Sequence, residues 1–274
     1  MIPQSFDYEV AESVEHAIEL LGRFDEAKLL AGGHSLLPLM KLRFARPQAL
    51  VDIGRIGELR YVRDAGDRIA IGALSRHHDL SRDPLLRGQC PIVSTTAGLI
   101  GDPQVRHRGT IGGSVAHGDP ASDLPTVLVA LAAELVVRGP GGERTLGAGE
   151  FFKGFLETAL GPQDVVTEIR VPKTAGAGFA YLKFNRRAQD WATVGVAVVQ
   201  ADGGARVALT NMGPTPLRAT AVEEALAAGA DAAAAAEKAD EGTSPPSDTN
   251  GSADYRRHLA RVLVRRALAQ ALKR

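Results

Sequence analysis

The chain of 274 residues has one cysteine, Cys90. An intrachain disulfide is therefore excluded, and so is a four-thiolate zinc or iron–sulfur site built from this chain alone. Net charge is also lacking: 32 Lys and Arg face 32 Asp and Glu. No global field recruits nucleic acid or anionic lipid. No run of roughly 18 apolar residues occurs, so no integral membrane segment is expected. The first residues carry no basic stretch followed by an apolar one, and the expected compartment is the cytoplasm. Neither G-x-G-x-x-G nor G-x-x-x-x-G-K-[ST] is present, which disfavours Rossmann and P-loop nucleotide binding. His107, His117, Asp119 and Asp123 lie close together, but their spacing fits no metal-ligand template. Ser114 and His117 sit three apart without an orienting carboxylate, so no nucleophile–base pair stands out.

What is present is a soluble, core-forming composition, 45% hydrophobic. Ser13 is placed to cap a helix over 14–22, whose apolar positions Val14, Ala17, Ile18 and Leu21 share one face. Strands are expected at 28–31 and 49–53, with a helix or turn at 36–41. Together they suggest a small α+β unit ending near Gly57. A second unit follows: a hairpin strand at 68–71, a helix capped by Ser75 and running through His77, Leu80 and Leu86, a helix over 91–99, an apolar helix over 124–131, a strand at 134–138 closed by a Gly-Pro-Gly-Gly turn, and a half-buried strand at 165–171. His77 and His78 read as surface residues. Residues 172–178 read as a linker. Beyond it come three strands, at 179–184, 193–200 and 205–212, with an Asp202-Gly203-Gly204 hairpin turn. An alanine-rich helix over 222–238, a loop over 242–252 and a long amphipathic helix over 253–273 complete the chain.

Two glycine pairs are the most informative feature: AGGHS at 31–35 and TIGGS at 110–114. Each removes Cβ atoms from consecutive residues and places a serine beside them. Such loops let backbone N–H groups close on an anion. One pair alone is explained at least as well by a tight turn. Two pairs, each beside a serine, point toward the two phosphates of a dinucleotide.

These loops resemble a known family. LAGGHSLLPLMK (30–41) and IGDPQVRHRGTIGGS (100–114), followed by DPASDLP (119–125), look like the two FAD loops of the flavin-binding medium subunits of molybdenum hydroxylases, the carbon monoxide dehydrogenase group above all. KFNRRAQDWA (183–192) resembles the family's segment near the flavin. GSADYRRHL (251–259) resembles the opening of its last helix. The likeness spans nearly the whole chain.

The resemblance implies an α+β fold: a two-part FAD-binding domain of the vanillyl-alcohol-oxidase type (1–57 and 58–172) and a C-terminal α+β domain (179–274) with a three-stranded antiparallel sheet. It implies an oxidoreductase subunit that binds FAD and passes electrons from iron–sulfur clusters to an external acceptor. Partners follow from the same likeness: a large molybdopterin subunit and a small subunit with [2Fe–2S] clusters, in a dimer of heterotrimers. Ala31, Gly32, Gly33, His34, Ser35 and Leu36, with Thr110, Ile111, Gly112, Gly113 and Ser114, would hold the pyrophosphate through backbone N–H groups. Asp123 matches a contact near the ribose and diphosphate. Ile100 and Val166 match apolar positions against the cofactor. Lys183 matches the flavin end, and Asp190 and Trp191 flank the isoalloxazine. Read from the residues alone, Asp123 also suits a helix cap, Lys183 a solvent-facing strand, Trp191 core packing, and Asp190 an ion pair with Arg186 or Arg187. A self-sufficient FAD oxidoreductase, a flavin subunit serving aldehyde, xanthine or N-heterocycle oxidation, and a binding module without redox function stand as alternatives.

Overall fold

Three sheets, each built from a separate stretch of chain, converge on one cleft. The computed structural model describes residues 2–201 and 204–272. The first sheet is parallel, in the order β1-β3-β2, from β1 (Asp7–Val10), β2 (Ala27–Leu30) and β3 (Ala49–Asp52). Its helix Val14–Arg23 begins where expected. The Ser13 hydroxyl accepts from the His16 N–H at 3.1 Å, and Val14, Ala17, Leu20 and Leu21 turn inward. β1 was not expected, because an exposed four-residue edge strand carries too few apolar positions to show a period.

The second sheet runs β4-β5-β10-β6-β7. It comprises β4 (Val62–Ala65), β5 (Arg68–Gly72), β6 (Glu134–Gly139), β7 (Gly142–Gly147) and the central β10 (Val165–Pro172). A short hairpin, β8 (Phe152–Gly154) with β9 (Glu157–Thr158), lies between β7 and β10 in the chain. The alternating pattern of β10 suggested one solvated face, yet its first five residues are all buried. A register shift between Val166 and Glu168 divides the strand. Val165 enters the core of the first lobe, while Val166, Ile169 and Val171 enter the main core.

Helices between β5 and β6 cover this sheet. The expected Ser75-capped helix is instead two: His77–Arg82 and Pro84–Gln89. Pro84 cannot continue a helix, and Asp83 caps the second segment by accepting from the Leu86 N–H at 2.9 Å. The Ser75 hydroxyl donates to the Tyr61 carbonyl and caps nothing. Pro91–Gly98 and Asp123–Ala130 follow expectation closely.

The C-terminal sheet has four antiparallel strands: β11 (Phe179–Phe184), β12 (Val194–Ala201), β13 (Gly204–Thr210) and β14 (Leu217–Arg218). The three-strand expectation missed β14, whose two residues are too few to register as a strand pattern. The Asp202-Gly203 part of the expected hairpin turn lies outside the described residues. One face of the sheet (Tyr181, Ala197, Val199, Ala208) joins the main core. The other (Ala180, Val196, Val198, Val207) packs with Leu259, Leu263 and Val264 of the helix Ala253–Ala271. The alanine-rich segment breaks into Thr220–Ala227 and Ala232–Ala236, since Gly229 takes φ +89° and Asp231 starts a new helix.

The helix Asp123–Ala130 is buried along its whole length, packed on β12 and β13 of the third sheet and against the helices that cover the second. Leu128→Ala is expected to cost about 2–5 kcal/mol of unfolding free energy. Leu42→Ala, at a side chain 53% exposed, should stay within about 0.5 kcal/mol. Urea denaturation of the two variants checks the pair.

Candidate functional site

The first glycine loop leaves β2 at Leu30 and turns at Gly33, where φ is +75°. Gly32 lies against the other loop: a Cβ there would sit 2.5 Å from the Arg108 carbonyl oxygen and 2.9 Å from the Gly109 Cα. The chain then enters the short helix Leu36–Lys41. Among the described residues, the N–H groups of Gly32, Gly33, His34, Ser35 and Leu36 find no hydrogen-bond acceptor. A run of unspent amides beside a left-handed glycine is a nest for an anion.

The second loop differs from expectation. It is the N-terminus of the helix Ile111–His117, capped by Thr110, whose hydroxyl accepts from the Gly113 N–H at 3.2 Å. The Ile111 N–H donates to the Ser75 carbonyl at 3.1 Å, Gly112 to Ala73 at 2.9 Å, and Ser114 to Thr110 at 3.0 Å. These amides are spent within the fold. Gly112 is required for another reason, since a Cβ would lie 2.6 Å from the Ala73 Cβ. Ile111 is fully buried in the main core and does not reach the cleft. The second loop thus offers hydroxyls and a close-packed wall, while the amide nest belongs to the first.

All the sequence-selected residues except Ile111 line one cleft of about 1160 Å³. Ala31 to Leu36 and Thr110, Gly112, Gly113 and Ser114 line it together with Ile100 and Val166. Asp123 and Lys183 line it from the junction with the third sheet, and Asp190 and Trp191 from the β11–β12 loop. Trp191 is 55% exposed, which sets aside core packing, and Asp190 pairs with Arg187 at 2.9 Å. Among the described residues, no group of three or more His, Cys, Asp or Glu is arranged around a metal position. No described helix is long and apolar enough to cross a membrane.

Asp123 opens its helix but does not cap it; both carboxylate oxygens are engaged across the lobe junction. Tyr181 donates its hydroxyl at 2.6 Å and Lys183 its ammonium at 3.0 Å. Burial pushes the Asp123 carboxyl up, against the opposing pull of Lys183 and the Tyr181 hydroxyl. Burial, and then the Asp123 charge, push the Tyr181 phenol well above its ordinary value. The network continues from Tyr181 to Thr210 at 3.3 Å and from Thr210 to Thr126 at 2.8 Å. Lys183 is nearly buried, not solvent-facing.

His77 was missed. It is 4% exposed, lines the cleft, and its Nδ1 has no partner among the described residues. Burial holds its imidazole down to about 4, helped by nearby His34 and Arg106. The only sequence signal was its place directly after the β5 turn, and a histidine at a helix start usually faces water. His78 does reach the surface, stacked on His107 with ring centroids 3.8 Å apart.

Two outcomes are expected. Gly32→Val forces its side chain into the backbone of Arg108 and Gly109; if the displacement costs cofactor binding about 1–3 kcal/mol, FAD affinity falls roughly 10- to 100-fold. Flavin content at preserved far-ultraviolet circular dichroism checks this. For His77, the unfolded chain binds a proton below about 6.5 and the native chain only near 4. Its contribution is therefore complete above pH 6.5 and is lost as pH falls toward 4, by about 3 kcal/mol in all. His77→Gln should flatten that limb of a stability-against-pH curve measured by urea denaturation.

Comparison with known proteins places this geometry. Residues 4–174 match the model for the FAD binding domain in molybdopterin dehydrogenase, and residues 179–271 match that for the CO dehydrogenase flavoprotein C-terminal domain. The chain is 46% identical to the carbon monoxide dehydrogenase medium chain of Hydrogenophaga pseudoflava, over all of this chain and 99% of that one. It is 41% identical to the alpha subunit of the 6-hydroxypseudooxynicotine dehydrogenase complex of Paenarthrobacter nicotinovorans, over all of this chain and 97% of that one. A solved structure of carbon monoxide dehydrogenase from Hydrogenophaga pseudoflava superposes with a TM-score of 0.95 at 48% identity, covering 99% of this chain and 98% of that one. The cleft where two Cβ-free loops meet is therefore that of an FAD-binding protein, and the chain belongs to the family of FAD-binding subunits of the molybdopterin dehydrogenases.

Proposed function

We propose that this chain is the flavin-carrying electron-transfer subunit of a carbon monoxide dehydrogenase-like molybdenum hydroxylase. It would take electrons from iron–sulfur clusters of a partner and deliver them to an external acceptor. The observation that carries the reading is the nest of unspent amides from Gly32 to Leu36, set in a cleft large enough for a dinucleotide. The residues present fit FAD. The nest receives the negative pyrophosphate, with the Ser35, Thr110 and Ser114 hydroxyls as further donors. Asp123 reaches the ribose and diphosphate portion. Ile100 and Val166 offer apolar contact. Lys183 sets a cation toward the flavin end, held there by Asp123. Asp190 and Trp191 form the wall beside the isoalloxazine. When bound, FAD supplies one- and two-electron redox chemistry; the protein orients and tunes it.

The relatives are subunits of multi-subunit dehydrogenases. For this chain we assign a large molybdopterin subunit and a small [2Fe–2S] subunit as partners, in a cytoplasmic dimer of heterotrimers. The functional division is residues 1–57 and 58–172 for the two FAD-binding parts and 179–274 for the C-terminal domain. Carbon monoxide is the substrate favoured at the partner's molybdenum site. The 41% identity to a 6-hydroxypseudooxynicotine dehydrogenase subunit supports an N-heterocycle as the second reading.

The chain co-purified with its large and small partner subunits should be yellow. It should lose its oxidised-flavin absorption band on anaerobic addition of carbon monoxide, whereas the isolated chain should not respond. An assembled complex that takes up no FAD would overturn the reading. Bleaching by an N-heterocycle and not by carbon monoxide would move the substrate to the second class.

A further inference from the structure

The segment GSADYRRHL at 251–259 has no place in the cleft, yet it grips the loop that does. Arg256 is fully buried. Its Nη1 donates to the backbone carbonyl of Thr193 and its Nη2 to both carboxylate oxygens of Asp248, at 2.7 and 2.8 Å, while its Nε has no partner among the described residues. Two more contacts join the same segments. Arg186 donates to the Thr249 carbonyl at 3.2 Å, and the Phe184 and Tyr255 rings meet edge to face at 6.2 Å. From the other side Asn211 donates to the Ala192 carbonyl at 2.8 Å, and the Thr193 N–H closes on the Phe184 carbonyl at 2.8 Å. Between these anchors the chain carries Gln189 in a left-handed conformation, φ +75°, and then Asp190 and Trp191 on the cleft wall.

We propose that Arg256 and Asp248 form a clasp that sets the 185–193 loop, and with it Trp191, against the flavin end of the cleft. Arg256 is a positioning residue: it acts through the Thr193 carbonyl. A salt bridge with one half-exposed partner contributes little net stability. Its use is geometric, because a planar guanidinium fixes a carbonyl and a carboxylate in one plane. A non-glycine residue at positive φ persists where its surroundings over-determine it, and the anchors at Ala192 and Thr193 close the loop just beyond Gln189. The link to flavin rests on the functional reading above, whereas the link to the loop does not.

The test uses the assembled complex and three variants: Arg256→Gln, Asp248→Ala and Trp191→Leu. Asp248 has a side chain 42% exposed, so its truncation loosens the clasp even if Arg256→Gln fails to fold. Amide hydrogen exchange over 186–192 should accelerate about tenfold in the clasp variants, the factor set by losing one charge-assisted hydrogen bond. At equal FAD content, flavin emission should rise toward the level of Trp191→Leu, which removes the indole that the proposal sets against the flavin. Unchanged exchange in Asp248→Ala would overturn the clasp. Accelerated exchange with wild-type flavin emission and visible circular dichroism would overturn its role toward the cofactor. A wild-type complex lacking FAD would instead sink the functional reading and leave the exchange result to judge the clasp alone.

Discussion

The architecture depends on a backbone meeting a backbone. Gly32 lies so near the Arg108 carbonyl and the Gly109 Cα that a Cβ there would collide with both. That contact joins a loop from the parallel sheet to a loop that follows the helices on the second sheet. Because the loops touch, the amides of Gly32 to Leu36 share a cleft with Thr110 and Ser114. Spreading them apart by one side chain would open the nest to water and dissipate the field that an anion feels.

The two loops divide the work unequally, for reasons of hydrogen-bond supply. The first follows a strand and precedes a helix of six residues, so no preceding turn supplies carbonyls for its amides. The second is the first turn of a helix pressed against the end of β5, where the Ala73 and Ser75 carbonyls absorb them. The third sheet adds what neither loop has: a cation and a large aromatic ring. Lys183 is held by a carboxylate whose own burial is costly. Asp123, Tyr181, Thr210 and Thr126 form a polar strip inside an otherwise apolar junction. Such a strip adds little cohesion and much registry, because only one alignment of the two lobes satisfies it.

Much of this was legible in the sequence, and the pattern of what was not follows from range. Glycine pairs, Ser13 and the period of the Val14–Arg23 helix are local signals, and they gave the loops and the first lobe. The likeness to the flavin subunits placed the remaining cleft residues, which lie far apart in the chain. What stayed hidden depends on contacts that no local pattern encodes. Ile111 sits in the right motif but points into the core. His77 looks like a surface residue until Gly109 and the helix bury it. The two-residue β14 exists only because β13 offers an unpaired edge. The long alanine-rich helix failed for a simpler reason: Gly229 outweighs the propensity around it.

The cleft's walls are spread from Ala31 to Trp191, and the Arg256 clasp behind them lies later still. During synthesis the nest residues leave the ribosome before those of the clasp. The cradle residues therefore precede the wall residues in the chain, but the cradle is set only once Arg108 and Gly109 lie against Gly32. The cleft closes only when segments from Ala31 through Arg256 have packed together, so full enclosure of a nucleotide requires all three lobes to be folded.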